Sequence, residues 1–169
     1  MPEQLEHISA SPIKVPDVVI RRLPQYVRIL NQLKPILAIN NNWNVLLIGV
    51  GWLGRAILSY PGFTPNGFHV VTAADIDPTI IGQTIEGLVI NAPNTMSTLV
   101  RDHYIDISIV AVSIRRTQSV IDELVEYGIK AILNYAPITP HVPSEFRIFT
   151  QYYRYNLWRI ILIQKPWPN

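Results

Sequence analysis

The segment with the clearest chemistry is a glycine-rich stretch, Val-Leu-Leu-Ile-Gly-Val-Gly-Trp-Leu-Gly, at residues 45–54. The spacing Gly-x-Gly-x-x-Gly follows an apolar run, and the residues beyond it fit a helix. Gly49 allows a tight turn, Gly51 lets a pyrophosphate approach the backbone, and Gly54 lets the helix pack on the strand. The free amides of the first helical turn attract phosphate. We therefore predict a dinucleotide-binding loop of Gly49, Val50, Gly51, Trp52, Leu53 and Gly54.

An acidic residue stands where such a loop needs one. Asp75 ends the next apolar run, 26 residues after Gly49, and Ile76 follows it. The Asp75 carboxylate would accept the two ribose hydroxyls of NAD and repel the additional phosphate of NADP. The alternative is a glycine-rich turn without a ligand, in which Asp75 caps a helix. The order of strand, glycines, helix, strand and acid favours the dinucleotide site.

Other chemistry is poorly supplied. The four histidines lie far apart, at His7, His69, His103 and His141, and none has a metal-ligand spacing. No Gly-x-Ser-x-Gly motif occurs, which argues against a serine hydrolase. A dehydrogenase needs an acid–base residue over the nicotinamide, and the sequence offers none near that end. We expect no catalytic residue and no metal site.

These residues must be positioned by alternating strands and helices. Short apolar runs predict strands at residues 45–48, 70–74, 88–90, 107–112, 131–133 and 146–149. Apolar spacings of three and four predict helices at residues 53–60, 96–104, 116–127 and 151–163, and another that starts near Asp17 or Pro24 and ends at residues 34–35. The alternation predicts an α/β fold with a Rossmann-type parallel sheet and flanking helices. We divide the chain into an N-terminal arm and helix (1–42), a Rossmann domain (43–150) and a C-terminal helix and tail (151–169).

Composition limits the function classes. The chain has 169 residues, of which 49% are hydrophobic and 15% charged, whereas about a quarter of the residues in an average protein are charged. Such an apolar sequence is not intrinsically disordered. The sequence contains no run of about 18 apolar residues, so it predicts no membrane span. No signal peptide is evident, and there is no cysteine. We expect a cytoplasmic protein with no membrane contact.

Charge is unevenly distributed. Residues 43–145 carry five basic and nine acidic side chains, whereas residues 146–169 carry four basic ones and no acid. Basic ends around an acidic middle would suit nucleic acid. The alternative, that the ends pack on the acidic body or on its copy in an oligomer, is favoured because the basic patch is thin.

Four segments resemble the Rex family of redox-sensing transcriptional repressors. They are VPDVVIRRLPQYVRILNQL (15–33), WNVLLIGVGWLGRAILSYPGF (43–63), AADIDPTIIGQTIEG (73–87) and YGIKAILNYAPITPHVP (127–143). The resemblance implies a Rossmann core that binds NADH and NAD⁺, with the glycine loop on the pyrophosphate and Asp75 on the adenosine ribose. It further implies nicotinamide-side contacts at Val112, Ser113, Asn134, Ala136 and Pro137, although the family usually has proline where Ser113 stands.

The chain departs from that family between its first helix and its core. Rex carries a winged helix-turn-helix there, but only nine residues, 34–42, separate Leu33 from Trp43. Nine residues span about 30 Å at most and cannot hold two more helices and a wing. The helix that would enter the major groove is therefore missing, and we expect no sequence-specific DNA binding.

The second departure is the C-terminus. Rex dimers exchange a C-terminal helix, and an Arg–Tyr–Asp linkage joins their hinge. Arg28 and Tyr60 match the first two members, but Tyr152 stands at the Asp position. The apolar tail still suits an exchanged helix, so we predict a symmetric homodimer. The hinge or dimer residues would be Arg28, Tyr60, Tyr152, Tyr155 and Trp158.

Three functions follow from these observations. The favoured one is an NAD(H)-binding, redox-sensing regulator similar to Rex but without operator-reading parts. It would act through protein partners, for which a full-length Rex or another protein is the candidate, in addition to forming the homodimer. The alternatives are a DNA-binding repressor that responds to the NADH/NAD ratio and an NAD-dependent oxidoreductase.

Overall fold

The computed structural model describes residues 17–37, 42–129, 131–153 and 156–163. The helices are α1 (Asp17–Ile20), α2 (Leu23–Leu37), α3 (Trp52–Ser59), α4 (Met96–Asp102) and α5 (Ile114–Glu126). The strands are β1 (Trp43–Ile48), β2 (Phe68–Ala74), β3 (Thr84–Ile85), β4 (Leu88–Asn91), β5 (Ile107–Val110), β6 (Ala131–Asn134), β7 (Phe146–Tyr153) and β8 (Asn156–Ile163). None of the helices in this described part is long and apolar enough to cross a membrane.

The strands form one sheet in the order β3-β4-β2-β1-β5-β6-β8-β7. From β4 to β6 every pair is parallel, whereas β3, β8 and β7 pair antiparallel with their neighbours. The Rossmann-type parallel sheet is therefore confirmed. The chain order reverses between β1 and β5, and ligands of open α/β sheets bind beyond the carboxyl ends of the strands at such a point.

The core lies on both faces of the central strands. Along β1, Val45, Leu46 and Leu47 are completely buried, and all four residues of β5 and of β6 are buried too. Val45 and Leu47 pack into one apolar cluster and Leu46 into another. Burial on both faces explains why these strands appear in the sequence as unbroken apolar runs.

Helix α2 is part of the same core. Its buried residues, Leu23, Tyr26, Val27 and Leu30, share an apolar cluster with β1. The rings of Tyr26 and Tyr135 meet edge to face with centroids 4.6 Å apart. Pro24 lies in the first turn of α2, as expected if it marks a helix start, but α2 continues through Pro35 to Leu37. The predicted end at residues 34–35 is therefore wrong.

The predicted C-terminal helix at residues 151–163 is wrong as well. Gln151 continues β7, and residues 156–163 form β8, which pairs antiparallel with both β6 and β7. Tyrosine, tryptophan and isoleucine dominate this segment, and such residues favour strands. The backbone of β8 pairs with β6 and β7, so residues 156–163 do not form the helix that was expected to be exchanged. The side chains of Tyr152, Tyr155 and Trp158 lie outside the described residues.

Candidate functional site

The glycine loop between β1 and α3 has a shape that only glycine permits. Gly49 adopts φ +95°, and a Cβ there would lie 2.5 Å from the carbonyl oxygen of Ala111. A Cβ on Gly54 would collide with the carbonyl oxygen of Gly49, so this glycine lets α3 approach the end of β1. Gly51 differs, because a Cβ there would meet no heavy atom of the described residues within 4 Å, apart from its two chain neighbours. Nothing in the fold itself therefore demands a glycine at residue 51.

The remaining loop residues divide by burial. Val50 is buried and packs in the core, and Leu53 packs against it from a half-buried position. Trp52, the first residue of α3, is 58% exposed. The loop thus places one large apolar ring in solvent beside the first turn of α3.

Asp75 links the end of β2 to this loop. Its Oδ2 accepts the backbone N–H of Val50 at 2.5 Å, and its Oδ1 accepts the backbone N–H of Asp77 at 2.9 Å. Each carboxylate oxygen can accept more than one hydrogen bond, so both keep capacity for a ligand hydroxyl. The carboxylate is thus fixed at the carboxyl edge of the sheet, next to the glycine loop.

Asp77 has a local role. Its Oδ1 accepts hydrogen bonds from the Thr79 hydroxyl at 2.7 Å and from the Thr79 backbone N–H at 2.9 Å. These two bonds hold the pKa of the Asp77 carboxyl below its usual value of 3.8, and the bond from the Thr79 hydroxyl has the larger effect. Asp75 and Asp77 therefore act on different groups and do not form a carboxylate pair.

A cleft of about 280 Å³ opens beside Asp75 at the carboxyl ends of β1, β2 and β5. Six of the predicted site residues line it: Gly49, Gly51, Asp75, Ile76, Val112 and Ser113. The lining also contains residues that sequence reasoning missed, namely Pro93, Met96, Arg116, Ser119, Val120 and Glu123. The last four are spaced three, one and three apart and lie on one face of α5. That spacing was visible in the sequence, but only the sheet shows which face of α5 meets the cleft.

The predicted nicotinamide-side residues at and after the end of β6, Asn134, Ala136 and Pro137, are not among those that line the cleft. The buried Asn134 amide donates to the carbonyl oxygen of Ala136 at 3.1 Å, and its Oδ1 accepts the Ala136 backbone N–H at 3.0 Å. These bonds fix the turn that leads to the exposed Pro137. The Asn134 side chain therefore shapes the loop.

The predicted hinge residues are not joined by any described contact. Arg28 is exposed on α2, and the Tyr60 ring packs edge to face on Phe63 with centroids 5.6 Å apart. The aromatic contact between α2 and the body is instead that of Tyr26 with Tyr135. Burial raises the pKa of both phenols above the usual 10.0. At Tyr26 the positive charge of Arg22 partly offsets this rise in pKa.

Metal chemistry finds no support in the described ranges. They contain no group of three or more histidine, cysteine, aspartate or glutamate side chains that could hold an ion. His69 contacts Asn42 at 3.2 Å, and His103 and His141 are exposed. His7 lies outside the described residues.

Comparison with known proteins agrees with this geometry. Residues 40–138, which include the glycine loop, Asp75 and most of the cleft, match the model of the CoA binding domain. The chain belongs to the CoA binding domain family. This match covers more than half of the sequence.

The curated relatives that the chain matches include Rex proteins. The redox-sensing transcriptional repressor Rex of Chloroflexus aggregans is 38% identical over 118 residues, which are 70% of this chain and 56% of that protein. The Rex of Pelotomaculum thermopropionicum is 40% identical over 109 residues, 64% of this chain and 51% of that protein. The chain thus spans about half the length of the curated relatives it matches.

Solved structures point the same way. RSP, a Rex-family repressor, superposes with a TM-score of 0.61 at 28% identity, covering 78% of this chain and 84% of RSP. RSP in complex with β-NADH gives a TM-score of 0.59 at 28% identity, covering 79% and 86%. RSP has also been solved with β-NAD⁺ and operator DNA. The resemblance to Rex that the sequence motifs predicted is confirmed.

Proposed function

We propose that this chain binds NAD(H) and acts as a redox-sensing regulator through protein partners, without reading an operator sequence. The observation that carries the proposal is the Asp75 carboxylate held beside the glycine loop at the mouth of the cleft. Glycine-rich loops of this kind bind pyrophosphate, and the acid that ends the second strand binds ribose. The RSP complexes with β-NADH and β-NAD⁺ support the same ligand.

The cleft suits the adenosine half of the dinucleotide. Its volume of about 280 Å³ is at the lower end for a small-molecule site, so it would hold part of an extended ligand. Ile76, Pro93 and Val112 offer apolar surface for a base. The pyrophosphate would then lie over Gly51, where a Cβ would have no atom of the described residues within 4 Å apart from its chain neighbours.

Asp75 favours NAD(H) over CoA and NADPH. Both of these carry a phosphate on the adenosine ribose, and that phosphate would approach a fixed carboxylate. Like charges in a partly buried site repel strongly. The family model is that of a CoA binding domain, so CoA is the informative competitor for this chain.

Regulation is supported by the relatives, which are transcriptional repressors. Operator reading is disfavoured by the segment between α2 and β1. Helix α2 ends at Leu37 and β1 begins at Trp43, and the apolar face of α2 is buried against the body. No recognition helix fits in that interval. The redox state would therefore pass to another protein, for which a full-length Rex is the candidate.

Calorimetric titration tests ligand binding. NADH is expected to bind at micromolar or lower concentration, with NAD⁺ as the second ligand and CoA at least about tenfold weaker. Absence of heat with millimolar NADH would refute the proposal, and tighter binding of CoA would assign the cleft to the other ligand. A gel shift with the RSP operator separates the regulatory models. We expect no specific band from this chain alone, and a change in the operator affinity of a full-length Rex when the chain is added.

A further inference from the structure

The cleft beside Asp75 contains two charged side chains that the proposed function does not use. They are Arg116 and Glu123, both on α5. Arg116 is exposed, whereas Glu123 is half-buried. A few polar groups in a mostly apolar pocket usually fix the orientation and the identity of the ligand. The half-buried carboxylate of Glu123 is therefore a candidate for ligand recognition.

Glu123 is not neutralised by its own helix. Side chains three or four residues apart are neighbours on a helix. None of the residues at these positions is basic: Ser119, Val120, Glu126 and Tyr127. Arg116 is seven residues away, which is about 10 Å along the helix axis. In the described part of the chain, the Glu123 carboxylate has no ion pair and accepts no hydrogen bond, so its acceptor capacity is available to a ligand.

The position of Glu123 along α5 suits the far end of an adenosine. Ser113, the residue before α5, lines the cleft at the carboxyl end of β5, and Glu123 lies about 15 Å further along the axis. Side chains of a helix tilt toward its N-terminus, so that of Glu123 leans back toward Ser113. The lining also includes apolar side chains that can contact a flat base, among them Met96 and Val120.

We propose that Glu123 makes the cleft selective for adenine, because its carboxylate accepts a hydrogen bond from the exocyclic amino group of that base. This inference rests on the proposed function, since it requires the adenosine half of the dinucleotide to lie in this cleft with its ribose at Asp75. Glu123 is then a specificity-determining residue for the base, as Asp75 is for the ribose.

The selectivity follows from hydrogen-bond chemistry. An ionised carboxylate can only accept hydrogen bonds. A base that enters the cleft displaces water from Glu123, and affinity is lost unless the base supplies a donor in its place. The amino group of adenine is such a donor. Hypoxanthine and guanine carry a carbonyl oxygen at the same ring position, which would bring two acceptors face to face.

Calorimetric titration of the full chain with two dinucleotides tests the inference. One ligand is NADH, and the other is its hypoxanthine analogue, in which a carbonyl oxygen replaces the exocyclic amino group. The wild type is expected to bind NADH about tenfold more tightly than the analogue. Equal affinities would refute the selectivity and leave NAD(H) binding intact, whereas absence of binding by both ligands would overturn the proposed function as well.

Glu123→Gln identifies the residue responsible. The amide of glutamine can accept a hydrogen bond from adenine or donate one to the carbonyl oxygen of hypoxanthine. The variant should therefore bind the hypoxanthine analogue more tightly than the wild type does, and the ratio of the two affinities should fall about tenfold. A gain in affinity for the analogue is a result that damage to the fold would not produce.

Glu126→Gln is the matched control. Glu126 is exposed on the same helix and is not among the residues that line the cleft, so this variant should keep the wild-type ratio of affinities. A wild-type ratio in Glu123→Gln would refute the role of Glu123. An equal fall of the ratio in both variants would also refute it, because the effect would then come from the net charge of α5.

Discussion

The carboxylate of Asp75 accepts the backbone N–H of Val50, which ties the end of β2 to the middle of the loop after β1. This bond joins two residues that are 25 positions apart and fixes the position of Asp75, which lines the cleft, before any ligand arrives. A ligand that bound here would not have to order this loop. Binding to a preformed site costs less conformational entropy and is therefore tighter.

Asp75→Asn tests the role of this carboxylate in ligand choice. The amide keeps the shape but loses the charge, and hydrogen bonds to charged groups contribute about 1.5–3 kcal/mol. The affinity of the variant for NADH should fall about 10- to 100-fold. The ratio of its affinities for NADH and NADPH should also be smaller than in the wild type. Calorimetry with both ligands measures the change. Asp77→Asn is the control, because Asp77 bonds Thr79 and not the glycine loop. Equal NADH affinity in Asp75→Asn and wild type would remove Asp75 from the site.

Gly51→Ala should separate binding from folding. A Cβ at residue 51 would meet no atom of the described residues within 4 Å apart from its chain neighbours, but in the proposed binding mode the pyrophosphate approaches the backbone at this position. The variant is expected to unfold at the wild-type temperature and to bind NADH at least about tenfold more weakly. Unchanged affinity would mean that phosphate does not approach this residue.

Gly54→Ala should have the opposite result. The added Cβ would collide with the carbonyl oxygen of Gly49, so α3 must move away from β1. Overpacking of this kind lowers the free energy of unfolding by about 1–3 kcal/mol. Urea denaturation measures the loss, with Gly51→Ala as the matched control. A fully stable Gly54→Ala protein would show that α3 can shift without cost.

The attachment of α2 to the body can be measured by a pair of substitutions on that helix. Leu30 is completely buried, and Leu30→Ala should lower the free energy of unfolding by about 2–5 kcal/mol. Arg28 is exposed two residues earlier, and Arg28→Ala should change it by less than about 0.5 kcal/mol. Equal effects in urea denaturation would contradict the packing of α2 in the core.

Alkaline pH should weaken the contact between Tyr26 and Tyr135. Burial raises the pKa of both phenols in the folded protein above the unfolded value of 10.0. A raised folded pKa gives stability that is complete below pH 10.0 and is lost as pH rises through the folded pKa. Unfolding free energies measured on either side of pH 10.0 should fall less for Tyr26→Phe than for wild type. An identical fall in both would exclude Tyr26 as the titrating group.

The parts of the fold that the sequence predicts well are those decided locally. β1, β2, β5 and β6 are buried on both faces or nearly so, and each therefore appears as an apolar run close to its true bounds. The glycine loop is equally local, because Gly49 and Gly54 are required by backbone contacts that any such strand–turn–helix creates.

The parts that were missed depend on distant neighbours. Almost every residue of β8 is apolar, so helical and strand periods fit it equally well, and the adjacent β6 decides between them. The short β3 depends on a turn at Glu86 and Gly87, both of which have positive φ. Arg116 and Glu123 enter the cleft only because the sheet fixes the rotation of α5.

The brevity of β3 also determines how far such a molecule could polymerise. Addition of strands end to end requires two competent edges on each subunit, one to accept a neighbour and one to offer a template for the next. In this sheet, β3 has only two residues, so this edge offers too little backbone for another strand to pair with. A sheet with a single long edge strand therefore cannot grow into a fibre by pairing of strand edges, because such growth needs a second long edge on every subunit.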